Sequence, residues 1–183
     1  MNVTDLEIIV PFKVPSSMFN GVRLPQLVTF KTNIKHRAIG SFLAQNPTIV
    51  HLLLLASCGS ATSCSLAATE LPALTELKCG YACLPNSLPS SLSHLELFDP
   101  IPHTAANSAI FTTRKCFPLK YLTVVALEVL EDEYDVLQNV HEGAPNVGRL
   151  KLVEKPVSSV RTLVHGTLVL FLHMYRSIAV DHR

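Results

Sequence analysis

Charge is scarce in this chain, and neither sign prevails. Asp, Glu, Lys and Arg make up 16% of the 183 residues, below the roughly 25% of an ordinary globular domain, and the formal net charge is +1. Nucleic-acid surfaces need repeated cations along one face, so no nucleic-acid partner is expected. Nor is there a like-charge block suited to a lipid surface. The most apolar stretch, Leu163 to Tyr175, is short and broken by His165, Gly166, Thr167 and His173. A spanning helix needs about 20 apolar residues, so no membrane segment is expected. Asp5 and Glu7 stand where a secretory signal would carry base, which predicts no leader and leaves the glycosylation triplet Asn2-Val3-Thr4 idle. Five cysteines, an odd number at irregular spacing, do not make a disulfide framework. Reduced thiols in the cytoplasm or nucleus are the expectation.

Catalytic signatures are equally thin. The chain has no G-x-S-x-G elbow, no H-E-x-x-H or H-x3-5-H pair and no phosphate-binding glycine pattern. Cys58, Cys64, Cys79 and Cys83 follow C-x5-C and C-x3-C spacings, of which one fits a zinc pair loosely and the other does not. Buried structural cysteine is the simpler account, so no metal, no cofactor and no enzymatic activity are expected. The acidic run Glu128, Glu131, Asp132, Glu133, Asp135 reads as a solvated helix start, where negative charge favours the dipole.

What the chain does have is a pattern that returns. An apolar residue, a second three positions on and a third two further recur as Val3-Leu6-Ile8, Leu27-Phe30 with Thr32 at the third slot, Ile49-Leu52-Leu54, Leu74-Leu77-Cys79, Leu92-Leu95-Leu97, Leu119-Leu122-Val124 and Val147-Leu150-Leu152. The copies start 24, 22, 25, 18, 27 and 28 residues apart, close to the 20–29-residue period of leucine-rich repeats. Side chains two apart on a strand share a face, so each copy turns its second and third apolar residues inward, and stacking joins these faces into one core. The expected fold is α/β: a leucine-rich repeat solenoid with a parallel strand ladder and helical or irregular returns. Residues 1–156 would form the array, of about six to seven degenerate copies. Residues 157–183 form a divergent apolar segment.

The returns are uneven. Ile39, Phe42 and Leu43 are spaced for an amphipathic helix over 34–45, which Asn46-Pro47 should end. Val136, Leu137 and Val140 suggest a second helix, closed by Gly143 and Pro145. Leu84 to Ser91 is too broken for a helix, and Phe98 to His103 reads as a strand running out into a loop. The run Val160 to Val180 is apolar nearly all round and reads as a capping helix, with a strand pair as the alternative.

The blocks "LPQLVTFKT", "FLAQNPTIVHLLLLASC", "LPALTELKC" and "FPLKYLTVVAL" resemble the degenerate leucine-rich repeat regions of fungal F-box-like proteins over roughly Leu24 to Pro156. In that family an amino-terminal F-box grips the adaptor of a cullin-based ubiquitin ligase and the repeats choose the substrate. The resemblance therefore implies a substrate-recognition role. This chain opens inside a repeat without an F-box, so ligase-adaptor binding is not expected of it.

The register also names a surface. Residues flanking the inward leucines should line the concave face: Thr29 and Lys31, His51 and Leu53, Glu76 and Lys78, His94 and Glu96, Tyr121 and Thr123, Arg149 and Lys151. For any one of them plain solvent exposure is the blander account. Together they are mixed in charge with one aromatic, which suits a protein partner better than a polyanion. The competing expectation is a small α/β cysteine/histidine hydrolase with accidental leucine periodicity, gathering for instance His94 and Cys116 in a deep pocket.

Overall fold

In the computed structural model the described residues are 2–56, 64, 66, 71–84, 88–101, 119–127, 144, 146–155 and 177–181. They form one sheet of eight strands in sequence order: β1 (Asp5–Ile8), β2 (Thr29–Thr32), β3 (His51–Leu54), β4 (Glu76–Cys79), β5 (His94–Ile101), β6 (Tyr121–Leu127), β7 (Arg149–Lys155) and β8 (Ser177–Asp181). The first seven are parallel, and β8 returns antiparallel along β7. The class is α/β, with one α-helix, α1 (His36–Gln45), among the described residues.

A repeated turn sets the entry to β2, β3, β4, β5 and β7. Leu27 N–H donates to the Leu24 carbonyl, and the same three-residue bond recurs from Ile49 to Asn46, Leu74 to Leu71, Leu92 to Pro89 and Val147 to Ala144. Pro25, Pro47 and Pro72 occupy the second position of the first three turns, where a fixed φ is already the one required. Two successive N–H groups of each new rung then share one carbonyl of the rung before. Val28 and Thr29 donate to Thr4, Val50 and His51 to Val28, Thr75 and Glu76 to Val50, Ser93 and His94 to Thr75, Lys120 and Tyr121 to Ser93, and Gly148 and Arg149 to Lys120, all at 2.8–3.1 Å. Six repetitions of one arrangement hold the rungs in step.

That step puts like on like. Leu6, Phe30, Leu52, Leu77, Leu95, Leu122 and Leu150 are register partners along the sheet. From Phe30 to Leu122 they are at most 2% exposed. Burying each leucine contributes about 1.5–3 kcal/mol by transfer alone. The first apolar residues of the copies, Leu27, Ile49, Leu74, Leu92 and Leu119, are buried beside them. Cys79 lies in the same core, as a third-position residue should.

Helix α1 covers one end of this core with Ala38, Ile39, Phe42 and Leu43. Phe42 meets Phe30 at 4.9 Å between ring centroids and Phe19 at 5.4 Å, both tilted. Asn46, 1% exposed, ends the helix at φ −125°. Its side chain accepts from Leu24 N–H at 2.6 Å and donates to the carbonyls of Phe42 at 2.7 Å and Val22 at 3.3 Å. One amide thereby ties the helix end to the preceding turn. Thr32, the polar residue in a core slot, is accommodated because its hydroxyl donates to Ile8 O at 2.8 Å and accepts from Ile34 N–H at 3.1 Å.

Two expectations need correction. β5 does not end at Phe98 but runs to Ile101; a register shift between Glu96 and Pro100 lets the strand absorb a proline, which has no N–H to give. At the far end Ser177–Asp181 is a strand, not helix, and its pairing with β7 covers an edge that would otherwise be open. The suggested second helix through Val140 and the rest of the apolar segment from Val160 to Arg176 lie outside the described residues. Among the described residues no helix is long and apolar enough to cross a membrane.

Asn46→Ala should lower stability by about 2–3 kcal/mol in urea unfolding, because it strands a buried N–H and two carbonyls. A loss below about 0.5 kcal/mol, the level of a neutral surface change, would contradict that role. Leu77→Asp should abolish cooperative unfolding altogether, since it places an unpaired charge in the centre of the inner row; a two-state transition near that of the wild type would show the row is not the core.

Candidate functional site

Alternation along the strands sends the flanking residues to the face opposite the core. Register then arranges them in two rows. Asp5, Thr29, His51, Glu76, His94, Tyr121 and Arg149 form one; Glu7, Lys31, Leu53, Lys78, Glu96, Thr123 and Lys151 form the other. All twelve residues expected on this face therefore lie on two continuous lines. None is buried: His94, Tyr121, Arg149 and Lys151 are exposed and the other eight half-buried. Asp5 and Glu7 were missed, although the first copy's register would have found them.

The residues interact from rung to rung. Lys31 Nζ lies 2.8 Å from Glu7 Oε1, and Lys78 Nζ lies 2.6 Å from Glu96 Oε1. His51 Nδ1 meets Glu76 Oε2 at 3.0 Å, an ion pair when the imidazole is protonated. Hydroxyl hydrogen bonds from Thr29 and Thr4 hold the Asp5 carboxyl below the usual carboxylate range. Toward the other end the character changes. His94 stacks on Tyr121 with centroids 4.1 Å apart and planes 17° from parallel, and the Arg149 guanidinium carbon lies 5.6 Å from the tyrosine centroid. Tyr121 remains 39% exposed, so a large aromatic surface, flanked by imidazole and guanidinium, faces solvent.

A second cluster lies on the core side. His36 opens α1, Cys64 follows β3, and Cys83 ends a 3-10 turn (Tyr81–Cys83) after β4. His36 Nδ1 approaches Cys64 Sγ at 3.0 Å, and the ligand atoms of all three residues lie within 4.8 Å of one another. All three are buried. Burial pushes the His36 imidazole below the usual histidine range, against a hydrogen bond with the Ala56 backbone that acts the other way. Cysteine spacing alone pointed away from this cluster because its third member is a histidine outside the cysteine run. The repeat register did hold a signal: His36 and Cys83 each stand nine residues after their copy's first apolar position, Leu27 and Leu74. Cys58, at the same position of the intervening copy, lies outside the described residues, as does Cys116.

A groove of about 460 Å³ runs between the end of β1 and the start of α1, lined by residues including Val10, Phe12, Lys13, Asn33, Lys35 and Arg37. It brings together no histidine and no cysteine. His94 is stacked on Tyr121, and Cys116, the thiol expected beside it, lies outside the described residues.

No protein-family model, curated protein or solved structure matches the chain.

The inter-rung ion pairs should matter little for stability. A double-mutant cycle on Lys78→Ala and Glu96→Ala should give a coupling below about 1 kcal/mol that shrinks with added salt, as half-exposed pairs do. A salt-independent coupling well above that would mean the pair is desolvated.

Proposed function

We propose that this chain is a leucine-rich repeat solenoid that acts without catalysis as a protein–protein interaction module, its outward strand face taking the partner. The observation that carries this reading is the exposed His94–Tyr121–Arg149 stack on a rigid sheet. Tyrosine and arginine dominate the energetics of protein interfaces, and here the two already lie together beside the imidazole on one face of the sheet, an arrangement that lowers the entropy lost on binding. The cations Lys31 and Lys78 are each engaged by an acid, which supports a protein partner over nucleic acid or an anionic membrane. Within an F-box-like ubiquitin-ligase assembly such an array would be the substrate-reading part, working in the cytoplasm or nucleus.

The test is affinity capture from a cell extract by the intact chain, repeated with His94→Ala/Tyr121→Ala/Arg149→Ala and with Arg37→Ala, a change at the helix side. The captured protein should bind the triple variant at least about tenfold more weakly, since two interface anchors commonly exceed the 1.4 kcal/mol which that factor represents. It should bind Arg37→Ala as it does the wild type. Equal binding to the triple variant, or equal loss with Arg37→Ala, would remove the strand face as the site.

A further inference from the structure

We propose that His36, Cys64 and Cys83 form a binding site for a divalent ion of the zinc class, joining three successive return segments on the core side of the sheet. The inference is independent of the partner-binding reading and rests on different residues.

Composition is the first argument. One imidazole and two thiols are the donor set that borderline-soft divalent ions select over magnesium or calcium, which take oxygen. Geometry is the second. A tetrahedral zinc ion with bonds of 2.0–2.1 Å to nitrogen and 2.3 Å to sulfur places its donors about 3.6 Å (N to S) and about 3.8 Å (S to S) apart. The 3.0 Å approach of His36 Nδ1 to Cys64 Sγ, and the convergence of all three atoms within 4.8 Å, bracket those separations. The three described ligands would fill three of the four positions of such a site.

Charge balance is the third argument. On binding, each thiol releases its proton to solvent and each thiolate donates to the metal. Two thiolates, a neutral imidazole and a divalent ion sum to zero. Cys83 is 0% exposed, His36 1% and Cys64 9%, a setting in which a neutral assembly is tolerated and a charged one is not. That burial also assigns the site a structural role, because a substrate has no approach to it.

Topology supplies the purpose. His36 lies between β2 and β3, Cys64 between β3 and β4, and Cys83 between β4 and β5. These are consecutive returns; His36 opens α1 in the first of them, and Cys83 ends the 3-10 turn Tyr81–Cys83 in the last. An ion there would tie three neighbouring returns to one another through their side chains. Cys79, equally buried but pointing into the leucine row on β4, is not part of the cluster and serves as an internal control.

The test uses the full chain, purified reduced and stripped with a chelator, then titrated with Co²⁺ and back-titrated with Zn²⁺. A single cobalt ion per chain should bring the visible bands of a tetrahedral site and thiolate-to-cobalt charge transfer, and zinc should abolish both. Cys64→Ser and Cys83→Ser should each weaken cobalt binding at least tenfold, whereas Cys79→Ala should leave the spectrum unchanged. Should a variant fail to fold, X-ray absorption on the zinc-loaded wild type reads the donors directly. The expected set is two sulfurs at about 2.3 Å and an imidazole nitrogen at about 2.0–2.1 Å. Absence of stoichiometric uptake, a shell of oxygen and nitrogen alone, a four-sulfur shell, or a spectrum that survives Cys64→Ser/Cys83→Ser would each overturn the proposal.

Discussion

The contact on which the rest depends is the in-register stacking of one apolar row, from Leu6 through Phe30, Leu52, Leu77, Leu95 and Leu122 to Leu150. A strand of four residues such as His51–Leu54 cannot bury its own apolar face. Placed beside its neighbours it shares one, and the shared carbonyls of Thr4, Val28, Val50, Thr75, Ser93 and Lys120 fix the alignment. A shift of one residue at a rung such as β4 would send Leu77 to water and Glu76 or Lys78 to the core. Both rows of the outward face exist only because that shift does not occur.

The same constraint separates two chemistries. On the outward side, polar residues repeat at the strand spacing and compensate one another, until the imidazole, phenol and guanidinium at β5, β6 and β7 form a stack with aromatic surface to offer. On the core side, polar groups survive where each is given partners. Thr32 and Asn46 bond to backbone, and His36 gathers with two thiols. Partner recognition and ion binding, as proposed, would use opposite sides of one sheet and need not interfere.

Much of this was legible because the hexamer couples composition to geometry. Leu52, Leu77, Leu95 and Leu122 could be assigned inward, and Glu76, Lys78, His94 and Tyr121 outward, from spacing alone. Features that depend on partners distant in sequence were not. Pro100 reads as a strand terminator until its register partner Val125 is known, and the shift that admits it belongs to the pair, not to either strand. Val160 to Val180 is apolar enough for either helix or strand; at Ser177–Asp181 the open edge of β7 decides for the strand. His36 carried no metal signature because its cysteines lie 28 and 47 residues away, and the return segments must fold before the three meet. Its place at the same register position as Cys83 was the one available hint.

The most direct test of the ladder is a pair of spin-label distances on the outward row that starts at Glu7. Labels at Glu7 and Glu96 span four rung steps, and labels at Glu7 and Lys151 span six. At about 4.8 Å per step the backbone separations should be about 19 Å and about 29 Å. Pulsed electron resonance should therefore return two narrow distributions, the second longer by about 10 Å. Equal distances, or a shorter one to Lys151, would contradict a sheet in sequence order and with it both functional readings.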